Sequence, residues 1–220
     1  MKILITGPSR GIGRAAALRF LEEGHEVVGI DVLDPSIDHP RYTHFRTDVR
    51  DAGALPALEG VGVIFANAGR QNSGDDIGHD LVGAMNVVEK YMHDPALRSV
   101  LFNASASAVS GQEFPEYAAA KAGLLGYMKN TAIRLAPRQV TVNALCLGGV
   151  ATASNAPVMD DPALWERIMD VTPMKKWMSE DEVCDWIEFL TLTNRSMSGQ
   201  SLLIDNGEYD LRATFVWPEG

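Results

Sequence analysis

Short apolar runs alternate with longer amphipathic segments along the whole chain. Runs such as KILI and VGVIFA are apolar at every position, which is typical of parallel strands buried on both faces. The pattern predicts strands at residues 2–6, 26–31, 43–46, 62–67, 99–103, 139–145 and 200–204. It predicts helices at residues 11–23, 52–58, 77–92, 115–135, 162–169 and 180–192. This alternation predicts an α/β fold, a doubly wound parallel sheet of about seven strands with helices on both faces.

The composition fits one globular domain over residues 1–220. Of the 220 residues, 46% are hydrophobic, which is enough for a sizeable core. The net charge is −10 and no basic cluster occurs, so nucleic acid is not an expected partner. We find neither a charged-then-apolar leader nor an apolar stretch long enough to span a membrane, so we expect no membrane association.

The two cysteines favour a reducing compartment. Cys146 and Cys184 both lie in apolar stretches, and neither has a partner at C-x-x-C spacing. Such thiols are typically buried and reduced, which predicts a cytoplasmic location. The five histidines are scattered and form no ligand pair at helical spacing, so no metal site is expected.

Three glycines in the segment TGPSRGIG (residues 6–13) follow the first predicted strand and open the first predicted helix. A glycine-rich loop in that position predicts dinucleotide binding. Gly7 permits a tight turn, whereas Gly11 and Gly13 let the backbone approach a diphosphate and let the helix pack closely on the sheet. The helix N-terminus then offers free N–H groups and a partial positive charge to the phosphates.

Asp31 ends the second predicted strand and bears on which dinucleotide is bound. A carboxylate there can accept hydrogen bonds from both adenosine ribose hydroxyls and would repel a 2′-phosphate, which favours NAD over NADP. Arg10 in the glycine loop could instead meet a 2′-phosphate. We weigh Asp31 more heavily, because a carboxylate beside a phosphate is costly. A merely solvated Asp31 at the strand end is the alternative.

A second group of residues carries candidate chemistry. The segment YAAAK places Tyr117 and Lys121 on one helix face, and Ser105 follows the preceding strand. A tyrosine accepts a proton from an alcohol at neutral pH only if its phenol, with an ordinary pKa of about 10, ionises more easily. We expect the Lys121 ammonium and a positive nicotinamide to lower the pKa of Tyr117.

These motifs together resemble the short-chain dehydrogenase/reductase family, in its compact single-domain form with a Rossmann-like sheet. TGPSRGIG resembles the family's T-G-x-x-x-G-x-G, NAG (67–69) its motif after the fourth strand, and Ser105 with YAAAK its Ser and Y-x-x-x-K. TDV, VNALCLGGVAT and SGQSLLIDNG resemble its D-V, N-x-x-x-P-G-x-x-x-T and closing G-x-x-x-x-x-D-G-G motifs. The resemblance spans nearly the whole chain.

The resemblance implies an NAD(H)-dependent oxidoreductase that interconverts a secondary alcohol and a ketone. It implies that Tyr117 is the general acid/base, that Ser105 binds the substrate oxygen and that Lys121 also holds the nicotinamide ribose. The residues that it assigns to the cofactor are Gly7, Ser9, Arg10, Gly11, Ile12, Gly13, Asp31, Asp48, Val49, Asn67, Ala68, Gly69, Tyr117, Lys121, Val150 and Thr152. A dehydratase or epimerase of the same fold is an alternative. So is a non-catalytic nucleotide-binding regulator, although the intact Ser-Tyr-Lys set argues against it.

Three positions depart from the family pattern. Asp80 in DLVG stands where the family has an Asn of the proton relay, so it is a catalytic candidate that adds a negative charge. Leu147 stands where a Pro often precedes the glycine, and Asn206 replaces the first Gly of the closing motif. The chain is also shortened after DVRD and between NAG and Asp80. We expect activity to survive, because these segments lie away from the Ser-Tyr-Lys set.

Residues 149–178 are the least regular stretch, and we predict that they form a substrate lid. Apolar lid residues suggest an adaptable pocket, with a core or subunit contact as an equal alternative: Met159, Trp165, Met169, Met174, Trp177 and Met178.

The resemblance also implies a homodimer or homotetramer, with the helices that carry Asp80 and Tyr117 packed across a two-fold axis. The helical segment 117–136 is rich in small residues with few charges, and a monomer rarely exposes a large apolar patch. The tail adds Phe215, Val216 and Trp217, which either join the contact or fold over the chain's own core.

Overall fold

Seven parallel strands form the centre of the described part of the chain, residues 1–209 and 211. In this computed structural model they are ordered β3-β2-β1-β4-β5-β6-β7. The strands are β1 (Lys2–Thr6), β2 (Glu26–Asp31), β3 (Tyr42–Arg46), β4 (Val61–Ala66), β5 (Ser99–Asn103), β6 (Thr141–Leu147) and β7 (Ser201–Ile204). Every neighbouring pair is parallel. The doubly wound α/β fold predicted from the hydrophobic pattern is therefore confirmed.

Helices cover both faces of the sheet. On one face lie α1 (Gly11–Glu22) and α7 (Glu180–Glu188), and on the other lie α2 (Gly83–Tyr91) and α4 (Pro115–Leu135). The remaining helices are α3 (Ser107–Ser110), α5 (Ala156–Met159) and α6 (Pro162–Val171). A π-helical turn precedes α2 (Ile77–Val82) and another follows α7 (Phe189–Thr193); 3₁₀ turns span Ala136–Arg138 and Ala153–Asn155.

Alternate side chains of the buried strands enter two separate cores. Ile3 and Ile5 of β1 belong to the core that contains Phe20 of α1, whereas Leu4 belongs to the core that contains Met128 of α4. Successive side chains of a strand point to opposite faces, so a strand covered on both faces is apolar at every position. This burial explains why the strand sequences are continuously apolar.

The carboxyl ends of the strands place the candidate residues at one edge of the sheet. β1 lies between β2 and β4, so the chain winds outward in both directions from this point and leaves a crevice there. Gly7 follows β1, Asp31 ends β2, Asn67 follows β4 and Asn103 ends β5. The fold thus brings together residues that are far apart in the sequence.

The predicted helix at residues 52–58 is wrong, because turns occupy this stretch. Asp51 Oδ1 accepts hydrogen bonds from the backbone N–H groups of Gly53 and Ala54, at 3.0 and 3.1 Å. Such local side-chain bonds compete with a helix, and Pro56 supplies no N–H to continue one.

Other predicted elements differ mainly at their ends. The strand predicted at 139–145 begins at Thr141 and runs to Leu147, because Gln139 has a left-handed backbone with φ of 57°. The predicted helices at 77–92 and 180–192 each contain a π-helical turn at one end. Phe215, Val216 and Trp217 of the predicted subunit contact lie outside the described residues. None of the helices in the described part has the length and apolar character needed to span a bilayer.

Candidate active site

A cavity of about 600 Å³ opens at the carboxyl ends of β1, β2, β4 and β5. The predicted cofactor residues in its wall are Gly7, Arg10, Gly11, Ile12, Asp31, Asp48, Val49, Asn67, Ala68, Gly69 and Thr152. Ser9, Gly13, Tyr117, Lys121 and Val150 are not part of this wall. A second cavity of about 830 Å³, lined by residues such as Met1, Arg98 and Thr141, contains none of the candidates. Most of the predicted cofactor residues therefore share one space.

The glycine loop is shaped to let a ligand approach the backbone. Gly7 and Gly11 have φ of 71° and 55°, in the left-handed region that favours glycine. At Gly13 an added Cβ would lie 2.1 Å from the Gly7 carbonyl oxygen, so no side chain fits. No side chain caps the N-terminus of α1, and its first residues, Gly11 and Ile12, line the cavity. The free N–H donors of this helix end fit a diphosphate.

Asp31 connects the glycine loop to the end of β2. Its Oδ2 accepts from Ser9 N at 3.1 Å, and its Oδ1 accepts from Leu33 N at 3.0 Å. A carboxylate can accept about four hydrogen bonds, so capacity is left for a ligand in the cavity. Arg10 lines the same wall and is exposed to solvent.

Two asparagines at the centre of the site are hydrogen-bonded to each other. Asn67 Nδ2 donates to the Thr6 carbonyl oxygen at 2.9 Å, and its Oδ1 accepts from Asn103 Nδ2 at 2.8 Å. Asn103 lines the cavity, and its buried Oδ1 has no partner within residues 1–209 and 211. Sequence reasoning missed Asn103, although its place at the end of β5 is a signal that could have found it. An acceptor left over in this wall fits a hydroxyl-bearing ligand.

Arg50 is another wall residue that sequence reasoning missed. Its guanidinium contacts the carboxylates of Asp48 and Asp75 at 2.6 and 2.8 Å. This hydrogen bonding lowers the pKa of Asp48 below its ordinary value. The side chain of Asp48, one of the predicted cofactor residues, is thus held by Arg50, which follows the TDV motif.

The predicted catalytic side chains meet beside the cavity. Lys121 Nζ lies 5.5 Å from the centre of the Tyr117 ring, and the Ser105 hydroxyl is near enough to the phenol to act on its pKa. Ser105 Oγ is itself held by Ser107 Oγ and Ser107 N, both at 3.1 Å. Lys121 Nζ donates to the Asn103 carbonyl oxygen and pairs with Asp80 Oδ1, both at 2.8 Å.

The ionisation of Tyr117 differs from the expectation. Burial of the phenol raises the pKa of Tyr117, with Asp80 and Glu113 acting in the same direction. Lys121 and the Ser105 hydroxyl act to lower it, but the net pKa of Tyr117 is above the ordinary value. Burial alone would lower the pKa of Lys121, yet the facing Tyr117 and Asp80 raise it. The protein alone does not produce the lowered phenol pKa, because burial and Asp80 outweigh the ammonium.

Residues 149–178 form a loop with both ends tied together. Val150 forms a short parallel pairing with Met178, and Ala151 N donates to the Met178 carbonyl oxygen at 2.8 Å. Between these ends, the rings of Trp165 and Trp177 contact edge to face, with centres 5.1 Å apart. Met178 is buried in the sheet core at 3% exposure, whereas Met174 is 62% exposed. Met178 is therefore a core residue.

Two departures from the family pattern have local explanations. Asn206 has a left-handed backbone with φ of 56°, and asparagine tolerates the conformation that glycine would otherwise supply. Its side chain also donates to the Lys176 carbonyl oxygen at 2.9 Å. Leu147 is buried at the end of β6, where it packs in the same core as Met178.

Within residues 1–209 and 211, no three His, Cys, Asp or Glu side chains come close enough to hold a metal ion. Both cysteines are free and buried, and burial raises the pKa of Cys146 to about 11 and that of Cys184 to about 12.

Comparisons with known proteins identify relatives of this chain. A family model described as "Enoyl-(Acyl carrier protein) reductase" matches residues 79–208. Glucose 1-dehydrogenase of Gluconobacter oxydans is 28% identical, over 94% of this chain and 91% of its own.

Two solved structures are also similar. An oxidoreductase of the short chain dehydrogenase/reductase family from Burkholderia thailandensis has a TM-score of 0.83 and 27% identity, over 94% of this chain and 92% of its own. A 4-hydroxyisoleucine dehydrogenase complexed with NADH has a TM-score of 0.86 at 20% identity, over 96% of this chain and 99% of its own. At that identity, the second likeness bears on the fold alone.

Proposed function

Since the chain belongs to the short-chain dehydrogenase/reductase family, we propose that Ser105, Tyr117 and Lys121 catalyse its reaction. The protein is an NAD(P)-dependent oxidoreductase that interconverts alcohols and ketones. The observation that carries the proposal is the meeting of the three side chains beside the cavity, with Lys121 Nζ 5.5 Å from the Tyr117 ring centre. The substrate is a small secondary alcohol or the corresponding ketone.

Each of the three side chains has a separate task. Bound nicotinamide cofactor supplies or accepts the hydride. Ser105 Oγ, fixed by its two contacts with Ser107, hydrogen-bonds the substrate oxygen. Tyr117 gives its phenolic proton to the ketone oxygen in reduction and takes a proton from the alcohol oxygen in oxidation. The Lys121 ammonium beside the ring stabilises the phenolate that forms in reduction.

We propose NAD as the cofactor in preference to NADP. The glycine loop and the uncapped N-terminus of α1 would hold the diphosphate, and Asn103 Oδ1 would accept from a hydroxyl group. Asp31 would accept from the adenosine ribose, and its charge would repel a 2′-phosphate. The opposing charge of Arg10 lies in the same wall but is more exposed to solvent, which weakens it.

The loop at 149–178 is proposed to be the substrate lid. Its two ends are joined by the pairing of Val150 with Met178, so the intervening helices α5 and α6 can move as one unit. Gly149 supports this role, because a Cβ there would lie 2.0 Å from Trp177 Nε1. Within the lid, Trp177 therefore packs directly on the backbone of the first lid residue, Gly149.

The proposed assembly is a homodimer or homotetramer formed through α4. Ile133 on this helix is 73% exposed, and Gly126 leaves open space where a side chain would stand. A cytoplasmic location is proposed as well, since Cys146 and Cys184 are free thiols.

The function is tested by Tyr117→Phe against a panel of carbonyl substrates with NADH. We expect turnover to fall about 10²–10⁴-fold, because the ring still packs but has no proton to transfer. Cofactor affinity, followed by nicotinamide fluorescence, should not change. The matched control is Tyr127→Phe, which removes a hydroxyl that bonds to Glu89 away from the site. Retained turnover in Tyr117→Phe would exclude Tyr117 as the acid/base.

A further inference from the structure

Asp80 forms a buried ion pair with Lys121. The distance between Asp80 Oδ1 and Lys121 Nζ is 2.8 Å, and the two side chains are only 1% and 4% exposed. Burial removes the solvent screening that weakens surface ion pairs, so each charge strongly affects its neighbours. The charge that reaches Tyr117 is therefore that of the pair rather than that of a lone ammonium.

The position of the Asp80 carboxylate is fixed from two further sides. Its Oδ2 accepts from Arg70 N at 3.1 Å. On the other side is Gly69, where an added Cβ would lie 2.1 Å from Asp80 Oδ1. Lys121 is equally restrained, because Nζ also donates to the Asn103 carbonyl oxygen at 2.8 Å. The pair is thus a built feature and not a chance surface contact.

The groups that face the phenol and the ammonium come from several elements. Around Tyr117 they are Ser105 after β5, Glu113 before α4, Asp80 in the π-helical turn and Lys121 one turn along α4. Lys121 faces Tyr117 and Asp80, and the Cys146 thiol of β6 lies nearby. Lys121 is the single cation among these groups, and Asp80 is the anion in direct contact with it.

We propose that Asp80 is a positioning residue that acts on Tyr117 through Lys121, holding the ammonium in place while offsetting its charge. The phenol then stays protonated at neutral pH, ready to give its proton to a ketone oxygen, and this enzyme works mainly as a reductase. Alcohol oxidation, which needs the phenolate, requires alkaline conditions. This inference rests on the proposed function, because it takes Tyr117 to be the acid/base. Burial is the main cause of the raised pKa of Tyr117, and the charge of Asp80 acts in the same direction, as the inference requires.

The test compares wild type, Asp80→Asn and Asp76→Asn. Asn has the shape of Asp without its charge. Asp76 is the matched control, because it is equally buried at 1% exposure but bonds to Asn72 and Ser73 instead of Lys121. In Asp80→Asn, the acid limb of the pH profile of kcat/KM for alcohol oxidation should shift to lower pH by about one unit. At a given pH on that limb, the rate should therefore rise about tenfold. Asp76→Asn should keep the wild-type limb.

A second readout needs no turnover. The phenolate absorbance of the protein without cofactor is titrated with pH, and the curve for Tyr117→Phe is subtracted to isolate Tyr117. We expect Tyr117 of the wild type to ionise above the ordinary phenol pKa of about 10 and Tyr117 of Asp80→Asn to ionise at lower pH than wild type. Ionisation of wild-type Tyr117 below a pKa of about 10 would by itself overturn the inference, so this readout can refute it even if Asp80→Asn does not fold.

The inference is overturned if wild-type Tyr117 ionises below the ordinary phenol value. It is also overturned if a folded Asp80→Asn keeps both the oxidation limb and the phenol titration of wild type while Tyr117→Phe is inactive. If Tyr117→Phe stays active, the proposed function itself fails, and that result is distinct from either of these.

Discussion

Asp31 illustrates how one side chain combines a structural and a binding role. Its two oxygens receive the backbone N–H groups of Ser9 and Leu33, so the carboxylate shapes the glycine loop before any ligand arrives. Asp31 also lines the cavity, where its charge would meet the adenosine ribose of the proposed cofactor. A ligand phosphate in this place would face a fixed negative charge.

From this arrangement we predict at least about tenfold tighter binding of NADH than of NADPH, measured by fluorescence titration. Asp31→Asn should reduce the difference in affinity between NADH and NADPH. The amide keeps an acceptor for one backbone N–H but has no charge to repel a 2′-phosphate. Asp34→Asn is the control, since Asp34 is an exposed partner of Arg46 close by in sequence. Equal affinities in wild type would show that Arg10 dominates.

At the scale of elements, the π-helical turn Ile77–Val82 shapes the proposed catalytic group. Residues 77–92 have an amphipathic pattern, which predicts an ordinary helix, but the first turn is wider than an α-helical turn. This wider turn carries Asp80, which is buried against Lys121 and Gly69. An inserted π-turn is frequent at functional sites, and here it carries the side chain that departs from the family pattern.

The sequence predicts elements well where burial alone decides them. Strands such as β4 are apolar throughout because helices cover both faces, and the pattern therefore located all seven within about two residues. The helix predicted at 52–58 is wrong because the side chain of Asp51 forms an Asx turn with the backbone. Such a local hydrogen bond cannot be inferred from the spacing of hydrophobic residues.

The candidate site is predictable only in part. The motif residues do gather at one edge of the sheet, because parallel strands bring their carboxyl ends together. The contacts of Asn103 and Arg50 were missed, since they depend on which strands are neighbours and not on sequence spacing. The Asp80–Lys121 pair likewise joins residues that the sequence separates widely.

Helix α7 offers a test of stability that is separate from catalysis. Ser179 Oγ accepts from Glu182 N at 3.1 Å, and Glu182 Oε2 accepts from Ser179 N at 2.9 Å, which forms a capping box. Ser179→Ala should lower the free energy of unfolding by about 1 kcal/mol, or about 2–4 °C in Tm. KM and kcat should not change. Ser196→Ala, at an exposed turn, is the control, and an equal loss there would contradict the role of the cap.

At the scale of the whole molecule, α4 links the catalytic group to the proposed assembly. Tyr117 and Lys121 lie near its N-terminal end, whereas Gly126 and Ile133 lie further along, on positions open to solvent in the single chain. An apolar residue exposed at 73% beside small residues is typical of a contact between subunits. Packing across this helix would restrain the element that carries Tyr117, the proposed acid/base.

We predict by light scattering at micromolar concentration a mass at least twice that of the 23.9 kDa chain. Gly126→Glu should shift the assembly to smaller species, because the new side chain would clash with the partner subunit. In the single chain, a Cβ at residue 126 has no heavy atom within 4 Å. The folded chain itself should tolerate the change, since Glu favours a helix more than Gly does. Ala52→Glu, in an exposed turn, should keep the wild-type mass. A wild-type monomer would exclude the assembly.

The crowding between Gly69 and Asp80 constrains how the sequence can evolve. A methyl group at residue 69 would lie 2.1 Å from the Asp80 carboxylate and 3.4 Å from the Lys121 ammonium. An alanine at 69 would force the Asp80 carboxylate to shift from its place against Lys121, so we expect it to be accepted mainly where residue 80 has already become smaller. The order of mutational steps is thereby restricted, and descendants that keep the carboxylate must keep the glycine. Residues 69 and 80 should therefore change together during evolution, although ten residues separate them in the sequence.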